Sequence, residues 1–201
     1  MTIDGQRLVG AQSGETANIE LEIMRTFCWT FRWGALAAGW GISWLTDEQD
    51  MGLQDMMGEI TESDVIEPWR LKVLERAMSA YLEGDYLSFL HLVVPQIEGI
   101  LAQILRLSGE PTTQQLTHGS SETRQRPLVD MLQDDTMRKI LGEDVIYAFR
   151  AVLTKRNGLN LRNEIAHGLA DWGAFNWVNA NMVLLLLFQL VCLRRTDNTS
   201  Q

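Results

Sequence analysis

Residues 86–107 read YLSFLHLVVPQIEGILAQILRL, and this stretch carries the firmest prediction about the fold. Its apolar residues recur at intervals of three and four, which places them on one side of a helix. They are Leu90, Val94, Ile97, Leu101 and Leu105. Pro95 lies inside the pattern, so we expect either a kink or the true start of the helix there. The stretch therefore predicts a helix with one buried side.

Further helical patterns lie on both sides of this stretch. Upstream, Pro68 suits an early helical position, and a stripe spaced at three and four follows it until Gly84 and Asp85. The stripe consists of Leu71, Leu74, Ala77, Met78 and Leu82. Downstream, the sequence predicts one or two short helices over 128–141, another near 145–153, and a last helix over 175–193. Together these patterns predict an all-α protein, a bundle of four to five core helices.

The remaining segments are less regular. Residues 1–16 are rich in Gly, Ser and Thr and predict a loose tail, and residues 109–127 predict a polar loop. Residues 19–33 alternate as a strand would, yet Ile19, Ile23 and Phe27 also recur at four, so we favour a helix that continues to residue 45. We divide the chain into a tail (1–18), an N-terminal aromatic-rich segment, helical or part β (19–65), a helical domain (66–195) and a C-terminal tail (196–201).

Length and composition are those of one folded domain. The chain has 201 residues, of which 46% are hydrophobic and 21% charged. A formal net charge of −9 counts against non-specific nucleic-acid binding but allows a nuclease whose positive potential is confined to a cleft. The cations available for such a cleft, unless they are scattered over the surface, are Arg124, Arg126, Lys155, Arg156 and Arg162.

Cysteine usage and the N-terminus predict a cytoplasmic protein. Cys28 and Cys192 lie far apart in apolar surroundings, which is typical of reduced core residues and not of a disulfide or zinc framework. The first residues have no apolar core of a signal peptide. Phe27–Leu45 approaches the length of a membrane span, but its three glycines and Arg32 count against one. These features count against a membrane role, and a membrane-associated interaction protein anchored by Phe27–Leu45 is kept only as an alternative to the functions considered below.

Residues 162–168, RNEIAHG, carry the chemistry of the sequence. Arg162 offers a permanent cation with forked donors for phosphate oxygens, and His167 exchanges a proton near neutral pH. On a helical wheel Asn163 lies about 40° from His167, so the two share a face. The motif also has a non-functional interpretation. In it the arginine is a solvated surface charge, the histidine has no catalytic role, and Gly168 serves only to end the helix.

The residues around this motif predict how its helix is held. Asn160 is placed to cap the helix by accepting a bond from an early backbone N–H. Leu161, Ile165 and Leu169 recur at four and predict a buried stripe on the opposite side from His167.

Residues 160–169, NLRNEIAHGL, resemble the RNxxxHG signature of a domain-of-unknown-function subfamily of the HEPN superfamily. Residues 92–101, LVVPQIEGIL, resemble the upstream helix of that family, and the resemblance covers roughly residues 66–195. It implies an HEPN-like helical bundle and a metal-independent endoribonuclease without a cofactor. It also implies a homodimer with a composite active site, plausible as a toxin or anti-phage effector that an antitoxin or another regulatory partner restrains.

The resemblance assigns roles to particular residues. His167 would transfer protons during attack by the ribose 2′-hydroxyl, which gives a 2′,3′-cyclic phosphate and a 5′-hydroxyl. Arg162 would hold the scissile phosphate, and Asn163 would orient the phosphate or the histidine. Glu98 would support Arg162 from the upstream helix, although it equally fits a solvated residue at the edge of that helix.

Other features leave alternatives open. The acidic composition favours a non-catalytic module of the same fold that binds a nucleotide or a partner protein. His91 and Glu98 make only a weak metal pair, because no third ligand accompanies them, and His118 in a flexible loop is incidental. The tryptophans of the N-terminal segment suit a core or an interface more often than base stacking; they are Trp29, Trp33, Trp40 and Trp44.

Overall fold

The computed structural model describes residues 2–115 and 123–194, with side chains described from residue 18 onward. The described part is mostly helical, with one two-stranded sheet, so the predicted all-α class is confirmed. Its α-helices are α1 (Thr2–Glu48), α2 (Leu53–Thr61), α3 (Leu71–Leu82), α4 (Tyr86–Leu107), α5 (Leu128–Met131), α6 (Asp135–Leu141), α7 (Glu143–Phe149), α8 (Leu161–Ala166) and α9 (Trp177–Val191). Single 3₁₀ turns cover Pro68–Arg70 and Trp172–Ala174. The proposed tail at 196–201 lies outside the described residues.

Helix α4 is the centre of the bundle, and it packs against α3 and α9. A short turn at Gly84 and Asp85 joins it to α3, and Gly84 supplies the left-handed backbone conformation (φ 77°) that this turn requires. The Asp85 carboxylate then caps α4 by accepting from the Ser88 backbone N–H (3.0 Å). The helix continues through the exposed Pro95, so the alternative that it begins there is wrong.

The N-terminal segment is one long helix, α1, and the strand alternative is wrong. Its alternation of aromatic residues arises from two helical faces. Phe27 and Phe31 stack and pack against the core, whereas Trp29 and Trp33 lie on an exposed face. Residues 2–16 also have helical backbone, where the sequence predicted a loose tail. α1 packs along α9 and approaches it closely where Gly39 lies, because a side chain at that position would collide with Trp177 and Asn181 of α9.

The polar loop contains a small hairpin that the sequence did not predict. Strand β1 (Thr113–Gln115) pairs antiparallel with β2 (Thr123–Gln125), and Gln114 lies opposite Arg124. His118 falls between the strands, outside the described residues.

A π-helical turn, Arg150–Thr154, follows α7 and ends with a bond from the Lys155 N–H to the Arg150 carbonyl (2.8 Å). The next residues fold back onto this turn. The Leu159 N–H donates to the Ala151 carbonyl (2.9 Å), and that carbonyl lies so close to Gly158 that a β-carbon would not fit. The loop between the π turn and α8 is therefore fixed against the bundle, and it sets the position at which α8 starts.

Candidate functional site

Helix α8 carries the motif and is only six residues long. It starts after Asn160, whose backbone is left-handed (φ 52°), and the Asn163 N–H donates to the Asn160 carbonyl (3.0 Å). The helix packs against α4 and against the π turn, and Leu161 is its buried residue. The motif side chains are thus positioned by a short helix held between two larger elements.

The C-terminal end of α8 is a Schellman motif. The Leu169 N–H donates to the Glu164 carbonyl (2.8 Å), and the Gly168 N–H donates to the Ile165 carbonyl (3.2 Å). Gly168 has a left-handed backbone (φ 66°) that favours glycine. The prediction that this glycine ends the helix is confirmed. It also explains why Leu169 is 67% exposed and not buried as predicted, since the chain leaves the helix before that residue.

Arg162 meets Glu98 of α4 in a two-point ion pair. Arg162 Nε donates to Glu98 Oε2 (3.0 Å), and Arg162 Nη2 donates to Glu98 Oε1 (3.2 Å). The side chains are 30% and 19% exposed, so solvent reaches the pair from one side. Paired donors to a carboxylate hold a guanidinium in a fixed plane. The contact between Glu98 and Arg162 that the resemblance implied is present; its role in activity stays a prediction.

A chain of hydrogen bonds continues from Arg162 along α8. Arg162 Nη1 donates to Asn163 Oδ1 (3.2 Å), Asn163 Nδ2 donates to Asn160 Oδ1 (2.7 Å), and Asn160 Nδ2 donates to Glu164 Oε1 (2.9 Å). Both amide groups therefore act as donor and acceptor, and each bond orients the next. The amide plane of Asn163 is fixed on both sides.

The predicted capping role of Asn160 is wrong. Asn160 occupies the N-cap position, but its side chain makes no bond to a backbone N–H of the first turn. A capping residue usually has extended backbone, which directs its oxygen towards the helix end. The left-handed backbone of Asn160 directs the amide to Asn163 and Glu164 instead. Its contribution is to the orientation of the motif side chains.

His167 stands at the C-cap of α8 and is exposed. Its backbone N–H donates to the Asn163 carbonyl (3.0 Å), which places it one turn beyond that residue. Within the described residues the imidazole makes no hydrogen bond or ring contact. The structure thus brings together Arg162, Asn163, Asn160 and Glu98, and it places His167 one helical turn after Asn163 without a side-chain bond to the cluster.

A cavity of about 230 Å³ lies where α1 passes the loop that leads into α8. Arg25, Trp29 and Arg32 line it from α1, and Gly158 and Leu159 line it from the loop. A second cavity, lined by Arg150 and Lys155, shares Asn157 with the first. Sequence reasoning missed these two cavities, in which Glu20 lies among the four cations, because they join residues more than a hundred positions apart and no local pattern records such a contact.

Two of the cations predicted for a cleft belong to the hairpin region. Arg126 forms an ion pair with Asp134 (2.9 Å) and also donates to two backbone carbonyls. Burial alone would raise the pKa of Asp134, but Arg126 and the Thr136 N–H outweigh it and hold that pKa below its usual value. Arg124 lies within hydrogen-bonding distance of the Gln114 amide across the strands. Neither arginine contacts the motif.

The other residues considered from sequence have separate surroundings. The His91 ring stacks on Phe175 (5.1 Å between centroids), and its Nδ1 lies 2.9 Å from the Leu87 carbonyl oxygen. Among residues 2–115 and 123–194, no three His, Cys, Asp or Glu side chains gather as a metal site would require. Cys28 is half-buried, and burial raises the pKa of its thiol, whereas Cys192 is exposed and not the core residue expected.

Comparisons with protein-family models, with curated proteins and with solved structures find no match for this chain. The resemblance to the HEPN superfamily accordingly rests on the residues quoted above. Of the described helices, one is long and apolar enough to cross a membrane, and it is α4 and not the Phe27–Leu45 segment. Half of its most apolar window is buried among the other helices, a pattern that core helices share.

Proposed function

We propose that the protein is an HEPN-type, metal-independent endoribonuclease with Arg162, Asn163 and His167 as its catalytic residues. The observation that carries this proposal is the arrangement of Arg162. Glu98 holds its guanidinium in one plane, the side chain stays 30% exposed, and an ionisable histidine with an unengaged ring follows one turn after Asn163. A fixed cation beside a histidine suits phosphodiester cleavage through general acid–base catalysis.

Arg162 retains donors for a phosphate. A guanidinium has five N–H groups, and the ones that bond Glu98 and Asn163 come from all three nitrogens. One N–H on each of Nη1 and Nη2 remains, and these two donors are available to phosphate oxygens. Because Glu98 neutralises the charge, phosphate binding depends on this geometry and on cations nearby. Lys155 and Arg156 lie in the loop before α8 and suit that purpose.

The proposed reaction requires two proton transfers. The ribose 2′-oxygen attacks phosphorus and loses its proton, while the bond to the 5′-oxygen breaks and that oxygen gains a proton. One His167 serves one transfer as base or acid. A homodimer with a composite cleft would supply the other transfer from the second His167. The products are a 2′,3′-cyclic phosphate and a 5′-hydroxyl, and DNA is not cleaved because it lacks the 2′-hydroxyl.

The test is incubation of the purified full chain with bulk cellular RNA in EDTA. Wild type should cleave and leave cyclic phosphate ends, and Arg162→Ala and His167→Ala should not. His91→Ala is a matched control, since His91 is also exposed but stacks on Phe175 away from the motif. Cleavage that persists in His167→Ala, or that EDTA abolishes, would contradict the proposed mechanism.

The biological setting that we propose is a cytoplasmic toxin or anti-phage effector, restrained by an antitoxin or another regulatory partner. Expression should then arrest growth, and His167→Ala should relieve the arrest at equal protein level. Equal toxicity of both forms would remove the support for a catalytic toxin.

The second candidate is a non-catalytic module of the same fold that binds a nucleotide or a protein. Charge favours it: the motif cluster holds the carboxylates of Glu98 and Glu164 against the single cation Arg162. Such a module would bind RNA or a nucleotide without cleaving it, and His167→Ala would not change the affinity. Binding titrations of wild type and His167→Ala, run beside the cleavage assay, separate the two functions.

A further inference from the structure

Four tryptophans form an exposed stripe along one side of α1. Trp29, Trp33, Trp40 and Trp44 are 63%, 51%, 61% and 57% exposed. They lie on one face because their intervals of four, seven and four match the helical repeat. Trp29 and Trp33 meet edge to face, with ring centroids 5.7 Å apart. The stripe is about 22 Å long at 1.5 Å per residue.

We propose that this stripe binds the same stripe of a second copy, with the two α1 helices antiparallel. Its spacing is palindromic about a point between Leu36 and Ala37. An antiparallel pairing centred there sets Trp29 opposite Trp44 of the second copy and Trp33 opposite Trp40. An isologous interface requires this reciprocity, since each contact must occur twice about the two-fold axis.

The size of the stripe fits a stable dimer. At 150–250 Å² for a whole aromatic side chain, the four tryptophans expose roughly 500 Å² in one copy. A patch of this size is at the upper end of what monomers expose. Pairing two copies would bury roughly 1,000 Å² from tryptophan alone, which approaches the size of specific interfaces before any neighbouring residue is counted.

Charge determines the direction of the pairing. Asp47, Glu48 and Asp50 cluster at the C-terminal end of α1. A parallel arrangement would bring both acidic ends together, whereas the antiparallel one separates them by the length of the stripe. The opposed helix dipoles favour the same direction. The interface contains no motif residue, so it is distinct from the composite cleft of the proposed nuclease, although Trp29 also lines the cavity beside Leu159.

The first test is sedimentation of the full chain at micromolar concentration. Wild type should be a dimer, or a tetramer if the composite cleft of the proposed nuclease forms through its own interface, and Trp33→Ser/Trp40→Ser should weaken the association through α1 at least 100-fold while its circular dichroism stays helical. Trp69→Ser/Trp172→Ser is the matched control, since these residues are equally exposed (61% and 78%) and lie outside α1. A monomeric wild type, or a stripe variant that dimerises as wild type does, would overturn the proposal.

The second test reports the direction of pairing and leaves all tryptophans in place. Thr26→Cys and Asp47→Cys, each made with Cys28→Ser and Cys192→Ser, are equidistant from the proposed axis on the exposed face. A short bismaleimide should link a mixture of the two variants and neither variant alone. Linkage of one variant to itself would indicate parallel pairing and contradict the proposal.

Binding of monomeric wild type to phosphatidylcholine–phosphatidylserine vesicles would instead assign the stripe to a lipid surface.

Discussion

Two arginines contact α4 within one turn of each other, and their surroundings differ. Arg70 comes from the 3₁₀ turn before α3, lies against Gly99 and donates to Gln96 Oε1 (2.9 Å). Arg162 comes from α8 and donates twice to Glu98. The same short segment of one helix therefore anchors two cations.

The two guanidinium groups differ in their exposure and in the number of N–H donors that remain without a partner. Arg70 is 8% exposed, also donates to Glu67 Oε2 (2.9 Å), and stacks over Trp69 with 4.0 Å from its guanidinium carbon to the ring centroid. Arg162 is more exposed and keeps two N–H donors without a partner among the described residues. A buried arginine whose edges and face are engaged stabilises the fold, whereas a half-exposed one with donors to spare is available to a ligand.

The largest expected effects come from replacing each arginine by alanine, because one variant should lose mainly activity and the other mainly stability. Arg162→Ala should lower RNA cleavage roughly 100-fold or more, since a charge-stabilising donor is lost, and should reduce the free energy of unfolding by only about 1 kcal/mol. Arg70→Ala should reduce it by about 3 kcal/mol, because it leaves Gln96 without its partner and, of the two arginines paired with Glu67, only the half-exposed Arg106. Urea unfolding and cleavage per folded molecule measure the two effects. Equal stability losses in both variants would break the comparison.

Glu98→Gln sharpens the comparison by freeing the charge of Arg162. The amide keeps one bond but lets the guanidinium plane turn, so we expect kcat to fall roughly 10-fold, the loss of one charge-assisted hydrogen bond. RNA affinity should rise, and its salt dependence should steepen by about 0.7 in log–log slope, since one more cation then meets phosphate. Binding is measured in a His167→Ala background. A merely structural Glu98 would leave that slope unchanged.

Gly168→Ala tests the end of the motif helix. A β-carbon in the left-handed conformation at this position should cost about 1 kcal/mol of unfolding free energy and displace His167. Gly58→Ala is the control, because Gly58 lies inside α2 with open space around it and should stabilise the protein by about 0.5–1 kcal/mol. Thermal unfolding measures whether each variant is less or more stable than wild type. A Gly168→Ala variant that is more stable than wild type would contradict the Schellman geometry.

The smallest effect is the pH dependence of the Arg70 cluster. Burial alone would raise the pKa of Glu67, but its bonds with Arg70 outweigh burial and hold that pKa below its usual value. A depressed folded-state pKa contributes stability above the unfolded pKa that is lost as pH falls through the folded one. Glu67→Gln should therefore be less stable than wild type at pH 7, by up to about 1 kcal/mol. That difference should begin to shrink in urea titrations as the pH falls below the ordinary glutamate pKa of roughly 4.3, and it should vanish only below the depressed pKa of folded Glu67.

The sequence predicted what is periodic and local. The stripe of α4 repeats every turn, so its buried face could be assigned residue by residue. The turn at Gly84 and the break at Gly168 follow from the backbone freedom of glycine. Glu98 was placed opposite Arg162 only through the family resemblance, because nothing local connects two residues so far apart.

The sequence did not predict features that depend on where a helix stops, on the backbone conformation of a single residue, or on contacts between distant residues. Leu169 keeps the spacing of a buried stripe, yet the helix ends before it. Asn160 has the composition of a cap but a left-handed backbone, which no residue pattern specifies. The alternating aromatics of α1 fit a strand equally well until Phe27 and Phe31 are seen to pack while Trp29 and Trp33 do not.

The π turn at Arg150–Thr154 has a consequence for how this bundle can vary. A π turn holds one residue more than the α-helical turn it replaces. Removing one residue there would restore regular helix and rotate the following loop by about 100° about the helix axis. The packing of α7 lies before that point and would be left intact. We therefore expect the deletion of one residue in this turn to move Arg162 away from Glu98, at the expense of repacking the buried side chains of the turn itself.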